Sequence, residues 1–431
     1  MREKDKFMKH SNRGKKNIIT IFLLTAFLLV CLTFLIIAIY PVLVDGEGTD
    51  QHLLTEEEYP DYIQNQPEEP QEEEFLEEES QEIVITITEE GEVLGLGGRE
   101  DEINEIIGNM SLEDKVSQLF FVITGDLATG HPVGGVILFS SDIVDEEQLR
   151  HFNAYLQEQN PSPTPLFIGV DEEGGPRVAR VANSTIEVSA FPHMLEIGNT
   201  GDRARAFEVG DTIGEYLSRL GFNVNFAPVA DVFSNPANTV IGERAFGAEA
   251  GVVSEMVVEV IRGLQGQGVS ATIKHFPGHG DTYEDSHYQL AVSYRTLEEL
   301  REVEFLPFIA GIEEGVELVM MGHVAVPAIT GDYTPATLSR EIVQGILRDE
   351  LGFEGIVITD AMNMGAIVNH YGCGEAAVLF LQAGGDMILM PQNFEEARQG
   401  VLDAIERGEL TQERINESLR RIFRVKLGRE E

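Results

Sequence analysis

From about Ile103 onward the chain alternates two kinds of segment. Short apolar runs occur at Leu119–Ile123, Gly135–Phe139, Leu166–Val170, Val224–Pro228, Ala271–Ile273, Leu318–Gly322, Ile356–Thr359 and Met387–Met390. Between them lie stretches whose apolar residues recur every three or four positions, most clearly Arg205–Leu220, Val252–Leu264, Leu297–Glu314 and Arg340–Glu350. An unbroken apolar run bounded by polar residues reads as a strand buried on both faces, and the amphipathic stretches supply the helices that cover it. Eight such units predict an α/β chain folded as a single (β/α)8 TIM-type barrel, not an open doubly wound sheet. No GxGxxG follows any of these runs, which also disfavours a dinucleotide fold. A last amphipathic stretch, Thr411–Leu427, carries Arg420, Arg421, Arg424 and Lys426 near its end and is expected to close the barrel. Only Gly428 and three charged residues come after it, so no second domain is expected.

The segment before the barrel has a different pattern. Residues 17–44 carry no charged side chain, and Ile18–Tyr40 is apolar over the ~20 residues that cross a bilayer. Ahead of it Arg2, Lys4, Lys6, Lys9, Arg13, Lys15 and Lys16 outnumber Glu3 and Asp5, which holds the N-terminus in the cytoplasm. The run is too long for a cleaved signal peptide, no small-x-small site follows it, and Leu28-Leu29-Val30 precedes Cys31 where a lipobox needs small residues. Residues 45–80 hold 15 acidic residues and no Lys or Arg, so this stretch repels itself and reads as an extended solvated spacer. Ile83–Thr88 is β-branched throughout and is expected to form a short strand. The expected organisation is a basic cytoplasmic tail (1–16), a transmembrane signal-anchor (17–44), an acidic disordered linker (45–100) and the barrel (101–431). The protein would then span the cell membrane once, with the barrel outside.

Composition narrows the function. The 431 residues include 74 Asp and Glu against 30 Lys and Arg, a formal charge of −44, which argues against nucleic acid as a partner because phosphate binding needs basic patches. Two cysteines, one of them inside the apolar run, exclude a disulfide framework and a Cys-rich zinc site.

A barrel carries its chemistry where the strands end at their C-terminal side. The third run leads to Asp171-Glu172-Glu173-Gly174-Gly175 and on to Arg177 and Arg180. The fourth leads through Asp231 to Ile241-Gly242-Glu243-Arg244. The fifth leads to Lys274-His275-Phe276-Pro277-Gly278-His279-Gly280-Asp281-Thr282 and then Asp285-Ser286-His287. The sixth ends near His323 and the seventh in Asp360. No serine sits in a nucleophile elbow and no phosphate loop is present. His275, His279, His287, Asp281 and Asp285 raise the question of a metal, but Pro277 and two glycines, Gly278 and Gly280, break any helix that would align His275 with His279. Neither a metal nor a cofactor is expected. Covalent catalysis by a carboxylate is the alternative, with Asp360 as its candidate nucleophile; the competing reading of Asp360 is a helix N-cap. Glu172 and Glu173 read as hydrogen-bonding residues within their loop, and His323 as a satisfied buried histidine.

These motifs resemble glycoside hydrolase family 3, specifically its β-N-acetylglucosaminidase branch. The resemblance rests on the Lys274–Thr282 and Asp285–His287 motifs, on Val170–Gly175, on Ile241–Arg244 and on Ile358-Thr359-Asp360-Ala361-Met362. It implies a retaining exo-β-N-acetylglucosaminidase in which Asp360 is the nucleophile, His287 the general acid/base and Asp285 the residue that orients His287. It also implies sugar contacts from Asp171, Arg180, Arg244, Lys274 and His275. Pro176 is an extra residue after Gly175, so the Arg180 match depends on a one-residue gap and Arg177 competes with it. An imidazole donor is chemically reasonable: it titrates near neutrality, and an adjacent carboxylate favours its protonated form. A neutral base also repels an anionic acceptor less than a carboxylate would, which leaves phosphorolysis open. The expected substrate is a GlcNAc-containing glycan or muropeptide. Rival readings are another family 3 β-glycosidase acting on glucose or xylose, and a catalytically silent wall-binding module on an acidic stalk.

Overall fold

The computed structural model describes residues 95–428; the predicted tail, signal-anchor and Ile83–Thr88 strand, and the acidic linker up to residue 94, lie outside the described residues. Among the described residues, no helix is long and apolar enough to cross a membrane.

Eight strands form the barrel: β1 (Phe120–Ile123), β2 (Gly135–Leu138), β3 (Phe167–Val170), β4 (Val224–Asn225), β5 (Ser270–Phe276), β6 (Leu318–Met321), β7 (Ile356–Thr359) and β8 (Ile388–Leu389). All neighbours are parallel and follow chain order. β1 pairs with β2 on one side and β8 on the other, where Phe120 lies opposite Ile388. A parallel bridge between Ile358 and Met387 joins β7 to β8 and closes the ring. Each strand lies on one of the eight apolar runs. β4 is shorter than its run: the Ala227 and Pro228 carbonyls still accept from the Thr272 and Lys274 amides, but Pro228 has no N–H to return, and pairing is next a bridge between Val229 and Lys274. β5 is longer than its run, so Lys274 and His275 belong to the strand itself.

Aromatic rings fill the interior. Phe121 stacks on Phe167 with centroids 6.4 Å apart and meets Phe226 edge-on at 5.2 Å. Gly135 and Gly169 make room for it: a Cβ at either position would lie 2.6 or 2.7 Å from the Phe121 ring. At the N-terminal end of β3, Lys426 sits over the Phe167 ring at 5.0 Å and bonds Gln118 Oε1 at 3.2 Å. The C-terminal helix Gln412–Leu427 thereby caps the mouth opposite the strand C-termini.

Helices Arg203–Arg219 and Ala250–Gly266 form where the spacing predicts them. Leu297–Glu314 does not form one helix. It is two, Leu297–Glu302 and Phe305–Glu313, broken at Val303 and Glu304. Pro307 explains the break, since in a continuous helix it would leave the Val303 carbonyl without a donor and press its ring against it. Glu341–Glu350 is wound as a π-helix, not an α-helix, and still buries Ile342, Val343, Ile346 and Leu347. A helix at Gly95–Asn109 begins inside the stretch read as the end of the linker. Its glycine-rich start gives no propensity signal, and its contacts with the C-terminal helix are tertiary, through Glu100 with Arg424 and Asn104 with Arg420. A parallel pair, Ala291–Val292 with Val324–Ala325, lies beyond the ends of β5 and β6.

Candidate active site

The ends of β3 and β5 bring a buried charge cluster to the rim. Lys274 Nζ lies 2.8 Å from Asp171 Oδ1 and 2.7 Å from Glu173 Oε1. Arg244, in the turn Gly242–Arg244, grips Glu173 with Nε 2.8 Å from Oε2 and Nη2 2.7 Å from Oε1. Burial opposes the charge on Glu173, but Arg244 and Lys274 outweigh it and hold the carboxyl far below its usual range. Burial likewise opposes the Lys274 charge, and Asp171 and Glu173 overcome it and raise the amine. Glu173, Lys274 and Arg244 thus hold one another in their charged forms. With these bonds made, Lys274 keeps one free donor and Arg244 keeps others for a ligand. Glu172 behaves as a loop residue should, accepting from the Val181 and Ala182 amides at 2.7 and 3.0 Å and from the Tyr216 hydroxyl at 2.8 Å. Glu173 does not: its partners come from β5 and the loop after β4, and nothing local in the sequence marks it as the centre of an ion cluster. Of the two competing arginines, Arg177 donates to the Thr239 carbonyl at 2.6 Å. Arg180 lies over the Phe139 ring at 5.8 Å, and its buried Nε makes no hydrogen bond.

Asp231, fully buried after β4, ties the next elements together. Its Oδ1 accepts from the backbone amides of His275 (3.2 Å) and His279 (2.7 Å), and its Oδ2 from His275 Nδ1 (2.7 Å). His275 thus carries its proton on Nδ1 and presents Nε2 to the site.

Asp360 follows β7. Its amide donates to the Met321 carbonyl and its Oδ1 accepts from the Ala361 amide, both at 2.8 Å. It caps no helix, because the next one, Gly365–Val368, is capped at Met364. Burial would raise its carboxyl, but His275, with the Ala361 amide and His287, holds it below the usual range. His323 is a satisfied buried residue, as the sequence suggests. Its Nε2 donates to the Ala361 carbonyl at 3.0 Å and its Nδ1 meets the Thr337 hydroxyl at 2.8 Å, while burial favours the neutral ring.

His287 stands out from the loop after β5, with 61% of its side chain exposed. Asp285 Oδ1 accepts from both its amide (2.9 Å) and its Nδ1 (2.7 Å). Burial opposes ionisation of Asp285, but these two bonds outweigh it and lower its carboxyl. The loop docks against the segment after Asp360: Gly365 donates to the His287 carbonyl at 2.9 Å and Asn369 Nδ2 to the Tyr288 carbonyl at 3.2 Å. The rim thus combines an ionised carboxylate on a strand end with an imidazole that has one nitrogen anchored and the other open. That pair can supply a nucleophile and a proton shuttle. The sequence does not reveal Asp231, His279 and Ser286 as the frame behind them.

Residues 111–425 match the model of the glycosyl hydrolase family 3 N-terminal domain. The chain is 34% identical to a β-hexosaminidase A of Pseudoalteromonas piscicida over 328 residues, 70% of this chain and 54% of that protein. It is 35% identical to a β-hexosaminidase of Stenotrophomonas maltophilia over 277 residues, 62% of this chain and 80% of that one. A family 3 β-N-acetylglucosaminidase structure from a Paenibacillus species superposes with a TM-score of 0.71 at 38% identity, covering 74% of this chain and 63% of that one. The chain thus spans about half the length of the first of these relatives. A closed parallel barrel, the motifs at its rim and a family match across nearly all the described residues agree: the chain belongs to glycosyl hydrolase family 3, through the N-terminal domain of that family.

Proposed function

We propose that the protein is a retaining, exo-acting β-N-acetylglucosaminidase that removes terminal β-linked GlcNAc from peptidoglycan fragments. The observation that carries this reading is the pairing of an ionised Asp360 with His287, whose Nδ1 is fixed by Asp285. In the first step an Asp360 oxygen attacks the anomeric carbon while the bond to the leaving oxygen breaks, and Nε2–H of the His287 imidazolium gives that oxygen its proton. In the second step the now neutral Nε2 takes a proton from water, whose oxygen attacks the anomeric carbon and releases the Asp360 carboxylate. Asp285 keeps Nδ1 protonated throughout, so Nε2 exchanges the proton in both steps. Lys274, Arg244 and Arg180 donate to the ring hydroxyls, Asp171 accepts from them, and His275 contributes Nε2. The apolar run Ile18–Tyr40 supports anchoring in the cell membrane with the barrel outside.

The test uses the full chain in detergent, comparing nitrophenyl β-GlcNAc with nitrophenyl β-glucoside, with and without phosphate, followed by purified muropeptides. Preference for β-GlcNAc and release of GlcNAc from muropeptides would support the reading. Preference for the glucoside would replace it with another β-glycosidase, and phosphate-dependent release of a sugar phosphate would replace water as the acceptor. Inactivity on all substrates would favour the wall-binding module.

A further inference from the structure

Ser286, between Asp285 and His287, turns the opposite way from its neighbours. It is 2% exposed, and its hydroxyl lies 3.0 Å from Nε2 of His279, which is itself 1% exposed. On the other side of that ring, Nδ1 lies 2.8 Å from Thr282 Oγ1, and the same hydroxyl lies 2.9 Å from the His279 carbonyl. The ring is thus held through both nitrogens, and the Ser286 hydroxyl, able to donate or accept, bonds Nε2 in either tautomer. Burial favours the neutral ring. The His279 amide is held at 2.7 Å by Asp231, the carboxylate that also fixes His275. A continuous chain of hydrogen bonds therefore runs from His275 through Asp231 and His279 to Ser286. A second anchor acts from the side, where the Gly365 amide donates to the His287 carbonyl at 2.9 Å. A Cβ at residue 365 would lie 2.5 Å from the Tyr288 carbonyl oxygen and 2.9 Å from that of His287, so only glycine lets the loop dock this closely.

We propose that His279, Ser286 and Gly365 are positioning residues that latch the loop so that His287 Nε2 meets the leaving oxygen, a role that rests on the reading of His287 as the proton donor. The latch couples two halves of the reaction: the residue that contacts the sugar and the residue that protonates the leaving group share one buried carboxylate.

The test is a leaving-group series. Ser286→Thr and Ser286→Val are nearly the same shape, and only the first keeps the hydroxyl. Their kcat/KM is measured on β-GlcNAc glycosides from dinitrophenyl to phenyl to methyl, beside His287→Ala and Gly365→Ala. Ser286→Val is expected to lose about tenfold with methyl and phenyl leaving groups, part of the ~10²–10⁴ a general acid supplies, and less than about twofold with dinitrophenyl. Ser286→Thr should retain most of the activity, and Gly365→Ala should repeat the pattern of Ser286→Val. Equal activity of the Thr and Val variants, or losses independent of the leaving group, would overturn the latch. If the residue 286 variants unfold, Gly365→Ala decides the same question from the other anchor. If His287→Ala shows no leaving-group dependence, the donor assignment fails; if it does and the latch variants do not, only the latch fails.

Discussion

Glu173 and Arg244 meet fork to fork, with Nε 2.8 Å from Oε2 and Nη2 2.7 Å from Oε1, and Lys274 closes on the same Oε1 at 2.7 Å. One carboxylate, 3% exposed, holds in fixed places the two cations proposed to contact the sugar. Glu173→Gln preserves the shape and removes the charge, leaving only Asp231 and Asp171 to balance Lys274 and Arg244. Loss of one partner from a buried ion cluster costs roughly 3–5 kcal/mol. Urea unfolding should show a loss of that size; a loss below about 1 kcal/mol would mean that the two cations reach solvent when Glu173 is neutral.

His287→Ala should slow hydrolysis of unactivated glycosides by roughly 10²–10⁴ and dinitrophenyl glycosides far less, because a good leaving group departs without a proton. Steady-state kinetics on both classes checks this, and equal losses would remove His287 from the proton path.

Asp360→Asn should abolish turnover, and a slow fluorosugar substrate should leave its glycosyl group on the wild-type peptide that carries Asp360. Recovery of the adduct on another residue by mass spectrometry would sink the nucleophile assignment. The Asp360 carboxyl is held below its usual 3.8, so it stays ionised as pH falls to that value. The acid limb of kcat/KM should therefore report a group other than Asp360.

Glu304 is fully buried, and neither carboxylate oxygen makes a hydrogen bond, although Arg295 Nε stands 3.2 Å from Oε1. Burial, opposed by Arg295 and reinforced by Asp281, pushes its carboxyl up from 4.5 to about 7. The folded chain therefore binds this proton more tightly than the unfolded one, and stability falls as pH rises from about 4.5 to about 7. Glu304→Gln should be more stable than wild type by roughly 2–3 kcal/mol at pH ~8 and nearly equal at pH ~4. Denaturant midpoints at the two pH values provide the check, and a difference independent of pH would contradict it.

Lys426 presents the opposite sign. Burial against Phe167 and Gln118 lowers its amine from 10.5 to about 7. Its penalty grows as pH falls from about 10.5 to about 7 and is complete below that. Lys426→Met, which fills the same channel without the charge, should raise Tm at pH ~6 and change it little at pH ~10. A lower Tm at pH ~6 would show that the ring and amide contacts outweigh the buried charge.

The barrel was legible in the sequence because all eight strands are buried on both faces and appear as unbroken apolar runs. Where a backbone rule competed, the pattern misled: Pro307 splits a stretch that has perfect helical spacing, and Pro228 ends β4 before its apolar run does. The rim residues could be read because each follows a strand. Their partnerships could not. Glu173 looks like any loop glutamate until β5 brings Lys274 beside it, and Ser286 looks like a spacer until the fold sets it against His279. Such pairings depend on three-dimensional neighbours that no local window contains. The surroundings of Arg177 and Arg180 are of the same kind, since only the fold reveals that the first donates to the Thr239 carbonyl and the second lies over the Phe139 ring.

β1 lies between β2 and β8, with Phe120 paired to Ile388. During synthesis one flank of β1 must stay unpaired until nearly the whole domain has been translated, a delay on the order of tens of seconds at roughly 5–20 residues per second. For that time the nascent chain exposes a strand edge as apolar as Phe-Phe-Val-Ile, open to pairing with any other emerging polypeptide. That interval is when the chain is most open to aggregation, and it ends only when Ile388 pairs with Phe120.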